Sequence, residues 1–205
     1  QLLKPQDVSS YNDLLDSRWK GKIGLRDPRV PGGGLAMWAF LLDLKGEEYI
    51  RKLAQQEMFV GRNARQIADA LAKGNLSLTI GVGYRDFDAF LDANLPVKHL
   101  PTLKEGTYVS GGNGIVGVIK GAPHPNGAKL FFNWLLSRDG QELHGKTAQQ
   151  PTRRLDVDSP KEPYAVRPAR EFMTVEQYHR LEGHSEEKQE SIRKPALAAA
   201  QRLLD

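Results

Sequence analysis

"LRDPRVPGGGLAMWAFLLDL", residues 25–44, decides how this chain is to be read. It joins the end of a strand candidate, "KIGLRD" (22–27), to a long apolar run with helical spacing, and three glycines behind a proline stand at the join. Two readings fit Gly32, Gly33 and Gly34. The first turn of a helix leaves backbone N–H groups without partners and carries the positive end of the macrodipole, so bare backbone there lets an anionic or strongly polar ligand approach. Alternatively, the glycines only turn the chain from strand to helix.

Outward from this join the chain alternates. Ser10, with Asp13 three residues on, reads as a capping box for a short helical turn in "YNDLLDSRWKG" (11–21). The helix after the glycines runs from Leu35 to about Gln56 and is interrupted or kinked near Lys45 and Gly46. "EMFVG" (57–61) is a short strand, Asn63 an N-cap with Gln66 three residues later, and "ARQIADALAKG" (64–74) a helix closed by its glycine. "NLSLTIGVGY" (75–84) is the clearest strand of the chain, followed by a short helix in "RDFDAFLDANL" (85–95). Such alternation predicts parallel strands joined by crossover helices, an α/β layered domain. Residues 105–121 are glycine-rich and β-like. "HPNGAKLFFNWLLSRDGQELHG" (124–145) reads as one amphipathic helix, residues 148–170 as irregular, and the chain from Thr174 as helical, with Pro195 interrupting it before "ALAAAQRLLD" (196–205).

Composition sets the limits. The 205 residues are 40% hydrophobic and 26% charged, ordinary for a globular chain. The formal net charge of +4 is dispersed, with no basic-and-aromatic stripe, which argues against nucleic acid. Zero cysteines exclude disulfides, thiol catalysis and thiolate metal sites. No stretch reaches the roughly 20 apolar residues of a membrane span, and the first residues do not have the plan of a signal peptide.

Familiar chemical motifs fail on inspection. "GNGIVG" (112–117) matches GxGxxG but leads into strand-like "IVGVIKG" rather than a helix. "HRLEGH" (179–184) fits neither zinc-helix spacing. His99, His124 and His144 stand singly, and Asp27, Asp86 and Asp88 read as loop and helix-start carboxylates, so no catalytic constellation is visible and an enzyme is not expected. What remains is a set of polar positions after three successive strands: the glycines 32–34, Arg62 with Asn63, and Tyr84 with Arg85. Parallel strands would bring all of them to one sheet edge, where open α/β sheets bind ligands and where arginine beside helix starts suits a carboxylate or phosphate. Taken one at a time, Asn63 is equally a cap, Tyr84 a packed edge aromatic and Arg85 a solvated helix start.

Three stretches, "YNDLLDSRWKGKIGLRDPRVPGGG" (11–34), "ALAKGNLSLTIGVGY" (70–84) and "KEGTYVSGGNGIVGVIKGAPHPNGAKLFFNWLLSRDGQ" (104–141), together resemble the extracellular solute-binding proteins of ABC importers, in the ferric-iron-type branch. The resemblance spans most of residues 11–155. It implies a two-lobed type II periplasmic binding fold with a solute held in the cleft. On that basis residues 1–104 make most of the second lobe, 105–147 return to the first lobe, and 148–205 form an irregular and helical segment packing on the second. The chain opens on Gln1 and would then be a fragment without the signal peptide and the opening part of the first lobe.

Iron-binding members hold the metal on adjacent tyrosines matching Tyr84 and its neighbour, with a synergistic anion on the loop matching the glycines. Here Arg85 takes the second tyrosine's place, and a guanidinium repels a hard trivalent cation. The resemblance therefore implies no metal cofactor, with ferric iron on Tyr84 as the alternative, and points to an anionic solute or a metal carried inside an anionic chelate. The expected partners are that solute and a membrane permease, and the expected location is periplasmic or extracellular. An effector-sensing domain of a transcription regulator, which shares the fold, stays open as another function. The apolar stretches "GIVGVI" (114–119) and "KLFFNWLL" (129–136) would meet first-lobe elements absent from this chain, so the fragment is expected to dimerise.

Overall fold

A computed structural model describes residues 3–4, 7–100, 103–108, 117–148, 154, 156–157, 176 and 186–205, with the backbone alone for Tyr84, Arg85, Ala148 and Glu186. The chain divides into two compact units, one of residues 1–111 and 179–205 and the other of residues 112–178.

The first unit is built on three short parallel strands, β1 (Ile23–Arg26), β2 (Phe59–Gly61) and β3 (Leu78–Ile80), in the order β2-β1-β3. Leu25 lies opposite Val60 on one side and Ile80 on the other, so the central strand is the one that feeds the glycine loop. Side chains alternate along a strand, and β1 uses both faces. Ile23 and Leu25 are fully buried in a core with Trp38, Leu41, Ile50 and Leu53 of helix α1 (Gly33–Ala54). Gly24 points the other way, where a Cβ would come within 2.6 Å of Ile67 on helix α2 (Ala64–Ala72). Helices therefore cover both faces, as a parallel sheet requires. Ala68 of α2 packs with Phe87, Phe90 and Val97 in a smaller cluster around α3 (Asp88–Asp92).

Local signals place these elements. Ser10 Oγ accepts from the Asn12 amide while Asp13 Oδ2 accepts from the Ser10 amide, and this box opens the 3-10 turn Tyr11–Leu15. Helix α1 kinks at Gly46, whose φ of 79° is left-handed. Asn63 Oδ1 accepts from the amides of Arg65 and Gln66, and Gly74 closes α2 with φ of 77°. On the same side of the unit as α1, the last helix α6 (Lys194–Leu204) lays Ala196, Ala199 and Ala200 inward.

Three expectations are corrected. The described parts of 105–121, residues 105–108 and 117–121, contain no strand. Gly106 and Gly121 both take left-handed φ of 79°, which breaks an extended run. Residues 105 and 106 are held instead by side chains: Glu105 accepts from Ser10 Oγ (2.6 Å) and Lys45 Nζ (2.7 Å), and Tyr11 donates its hydroxyl to the Gly106 carbonyl. Burial pushes the Glu105 carboxyl up, but Lys45 and Ser10 outweigh it and bring it to about 2, so the carboxylate stays ionised. The single helix expected over 124–145 is two, α4 (Pro125–Leu135) and α5 (Arg138–Ala148). Ser137 makes the break, donating to the Trp134 carbonyl and accepting from the Gly140 amide. Pro195 does not interrupt the last helix. A π-helical turn, Gln189–Arg193, precedes it and takes up the ring and its missing N–H within the first turn of α6.

The second unit holds α4 and α5. Leu130, Phe131, Trp134 and Leu136 of α4 and the loop after it are exposed, as is Ile119 at 80%. "GNGIVG" up to residue 116, "HRLEGH", the irregular 148–170 stretch apart from residues 148, 154, 156 and 157, and the helical reading of 174–185 apart from Glu176 lie outside the described residues.

The glycine join gives a direct test. A Cβ on Gly34 would overlap the Arg26 carbonyl, with the Asp27 carbonyl 3.1 Å away, so neither neighbour is a flexible side-chain end. Gly34→Ala is expected to cost about 3 kcal/mol or more, at the top of the usual overpacking range. Gly46 has open space around it, so Gly46→Ala meets only the left-handed backbone cost of about 1–2 kcal/mol. Urea unfolding of both variants checks this. Equal stability of Gly34→Ala and the parent protein would contradict the packing described.

Candidate functional site

The parallel sheet ends its three strands at one edge, and each strand leaves that edge into a helix start. From β1 the chain runs through residues 27–32 into α1, from β2 through Arg62 and Asn63 into α2, and from β3 through residues 81–83 into the 3-10 turn Tyr84–Phe87. The sequence-expected positions thus share an edge by backbone placement.

Gly32 is the residue before α1, with φ of 146°, and it is exposed. A Cβ there would stand 3.6 Å from the Arg26 guanidinium, which folds back over the start of the helix. Gly33 would place a Cβ 2.6 Å from the Gly81 carbonyl, and Gly34 meets the end of β1. Two of the three glycines are therefore required by backbone packing as well as by any ligand. Their amides belong to the helix's first turn and have no acceptor within it. Asn63 uses its carbonyl oxygen as the α2 cap. Gly83 donates its amide to Asp86 Oδ2, which fixes the third turn.

Sequence reading missed the charge at the centre of the edge. Asp27, read as an ordinary loop carboxylate, is only 2% exposed on its side chain. Its Oδ1 accepts from the Arg29 amide and Arg29 Nε, both at 2.9 Å, and its Oδ2 accepts from Arg62 Nε at 3.2 Å and Arg29 Nη2 at 3.3 Å. Burial raises the Asp27 carboxyl, but the donations from Arg29 and Arg62 together hold it below the usual carboxylate range. Arg29 in turn reaches the chain's last residues, donating Nη1 to the Leu204 carbonyl and to Asp205 Oδ1. Its guanidinium is held further toward the charged form, first by Asp27 and then by Asp205. The signal lay in "RDPR" (26–29), an acid flanked by arginines at a strand exit, whose long-range partners the sequence does not display. Around the first two turns, Arg29 pairs with Asp27 and Asp205 and Arg62 with Asp27, and Arg62 is 74% exposed.

A recess of about 940 Å³ in the first unit runs along β3 as far as Gly81 and Val82 of the third strand exit, with Trp19, Leu76, Leu78, Val97 and His99 among its walls. Its walls mix apolar side chains with Arg18, Lys22 and Lys98; among the described residues no three His, Asp or Glu side chains could hold a metal together. No described helix is long and apolar enough to cross a membrane.

Comparison with known proteins gives the relationship. Residues 1–147 match the bacterial extracellular solute-binding protein family. Among curated relatives, an uncharacterised protein of Haemophilus influenzae is 33% identical over 141 residues, covering 66% of this chain and 39% of its own length. Iron uptake protein A1 of Synechocystis is 27% identical over 154 residues, covering 68% and 42%. The chain thus spans about two fifths of the length of these relatives. Among solved structures, the periplasmic binding protein P5PA superposes with a TM-score of 0.61 at 24% identity over 94% of this chain and 60% of its own. A Trichodesmium protein (IdiA, FutA) in complex with iron and citrate gives 0.65 at 18% identity, over 98% and 64%. At these identities the superpositions speak for the fold, which is the α/β periplasmic-binding fold expected from the sequence. With nearly three quarters of its residues inside the match, this chain belongs to the bacterial extracellular solute-binding proteins.

Proposed function

We propose that the protein is the solute-binding component of an ABC importer, that it takes up a small anionic solute or an anionic metal chelate at the carboxyl edge of its sheet, and that it passes this cargo to a membrane permease. The family is one of extracellular solute binders rather than enzymes, which supports the transport role over a sensing domain and supports a periplasmic or extracellular location. One observation carries the ligand class: the first turn of the 22-residue helix α1 opens beside Arg26, with Arg62 extending from the next turn. A helix start and fixed guanidiniums both favour negative charge. Gly32, Gly33, Gly34, Arg62, Asn63, Tyr84 and Arg85 are the residues proposed to surround it. Binding of bare ferric iron through Tyr84 is the competing reading, favoured by the iron-uptake name of the Synechocystis relative and by the iron and citrate held in the Trichodesmium protein. The row of arginines weighs against a bare trivalent cation and is compatible with a chelate such as a ferric carboxylate.

Thermal unfolding in the presence of phosphate esters, small carboxylates, ferric chelates, ferric salts and cationic solutes separates these readings. A ligand at a hundred times its Kd adds about 2.7 kcal/mol, or about 5–10 °C for a chain of this size. An anion is expected to produce that rise, and Arg85→Ala or Arg62→Ala to reduce it. A rise with ferric salt alone that Tyr84→Phe abolishes would replace the anion by iron.

Self-association belongs to the same reading of partners. The exposed apolar side chains of α4 in the second unit, Phe131 at 52% among them, favour pairing with a second copy of this 205-residue chain. Light scattering is expected to report a dimer that Phe131→Asp weakens. A monomer at high concentration would count against it.

A further inference from the structure

Asp27 is, among the described residues, the one charged side chain that is buried, and its donors divide into two unlike groups. Arg29 is committed on both sides. It gives Asp27 its amide, Nε and Nη2, and gives Nη1 to the Leu204 carbonyl and Asp205. With three donors from Arg29 alone, the buried carboxylate is already well compensated, as a charge out of water must be. Arg62 then adds a single bond, from Nε to Oδ2 at 3.2 Å, while its side chain remains 74% exposed. A guanidinium carries five donors in a rigid plane, and fixing Nε fixes the plane without using the terminal fork.

The same residue is also tied by its backbone to the neighbouring strand exit. The Asp27 amide donates to the Gly61 carbonyl at 2.8 Å, so Asp27 is tied to the residue that precedes Arg62. The tether thus runs from a rigid backbone point to a side chain that makes no other hydrogen bond among the described residues, at the edge where α1 begins. We infer that Asp27 is the positioning residue for Arg62: it holds Nε so that the two terminal nitrogens stay free and oriented to pair with a carboxylate or phosphate. This rests on the anion reading above. A side chain already oriented loses less freedom when the ligand arrives, and affinity rises without a new contact. Asp27 could also act oppositely, as a negative charge repelling an anion. The sign of its effect distinguishes the two.

The test uses inorganic phosphate and citrate as probes on the full 205-residue chain, with Kd from titration calorimetry. Arg62→Ala is expected to weaken the better-bound probe by about tenfold or more, the scale of charged hydrogen bonds. Asp27→Asn should weaken it by about three- to tenfold with Arg62 present and not at all in the Arg62→Ala background, the signature of coupling. Arg62→Lys is a surface change that leaves the fold intact, keeps the charge and removes Nε; it should lose nearly as much as Arg62→Ala. The Arg62 Nε–H resonance, observed without ligand, should be protected from exchange in the parent protein and lose protection in Asp27→Asn. Additive losses in the double variant, tighter binding in Asp27→Asn, or full affinity in Arg62→Lys would overturn the positioning role while leaving the anion reading in place. A parent protein that binds neither probe would overturn the anion reading, and the role of Asp27 toward a ligand with it.

Discussion

The arrangement of the first unit depends on one close approach of backbone to backbone. The start of α1 rests against the carbonyl end of β1 and against the turn after β3, with Gly33 and Gly34 on one side and Arg26, Asp27 and Gly81 on the other. A methyl group at Gly33, Gly34 or Gly81 would enter a neighbouring main chain, so the helix reaches this depth only on bare backbone. Its consequence is electrostatic as well as steric. The positive end of a long helix arrives at the middle of the edge where three parallel strands stop, flanked by the exits of both outer strands.

Around that point the charges are ordered by burial. Asp27 lies inside and is neutralised by Arg29, which binds the end of α6 to the strand exit, while Arg62 extends outward from the same carboxylate. Fold and site therefore share their central residue. The interaction that ties the last helix to the strand exit is also the one proposed to orient Arg62 at the proposed ligand edge, and the core beneath it, from Ile23 and Leu25 to Trp38, gives both a rigid base.

Much of this was legible in the sequence because its causes are local. The capping box at Ser10 and Asp13, the cap at Asn63, the kink at Gly46 and the glycine closing α2 are signals within a few residues of their effects. The strands were found by apolar runs bounded by glycines, and their parallel pairing followed from the helices between them. What the sequence hid was long-range or finely balanced. Arg29 and Asp205 are separated by almost the whole chain, Glu105 finds Lys45 across the first unit, and nothing local distinguishes Asp27 from a solvated loop acid. Ser137 divides a continuous apolar pattern by a side-chain bond that periodicity does not register, and the π-helical turn before Pro195 keeps a helix going where proline alone predicts a break.

The central claim is that an anion binds where α1 begins. It is tested most directly by amide and arginine Nε–H NMR spectra recorded while inorganic phosphate is titrated into the assigned protein. The account predicts saturable shifts at Gly32, Gly33 and Gly34, at Asn63 and at Arg62 Nε–H, with the opposite end of the sheet unchanged. Shifts confined to the recess beside β3, at Trp19 and His99 among its walls, or no saturable shift with phosphate, citrate or a phosphate ester, would contradict it.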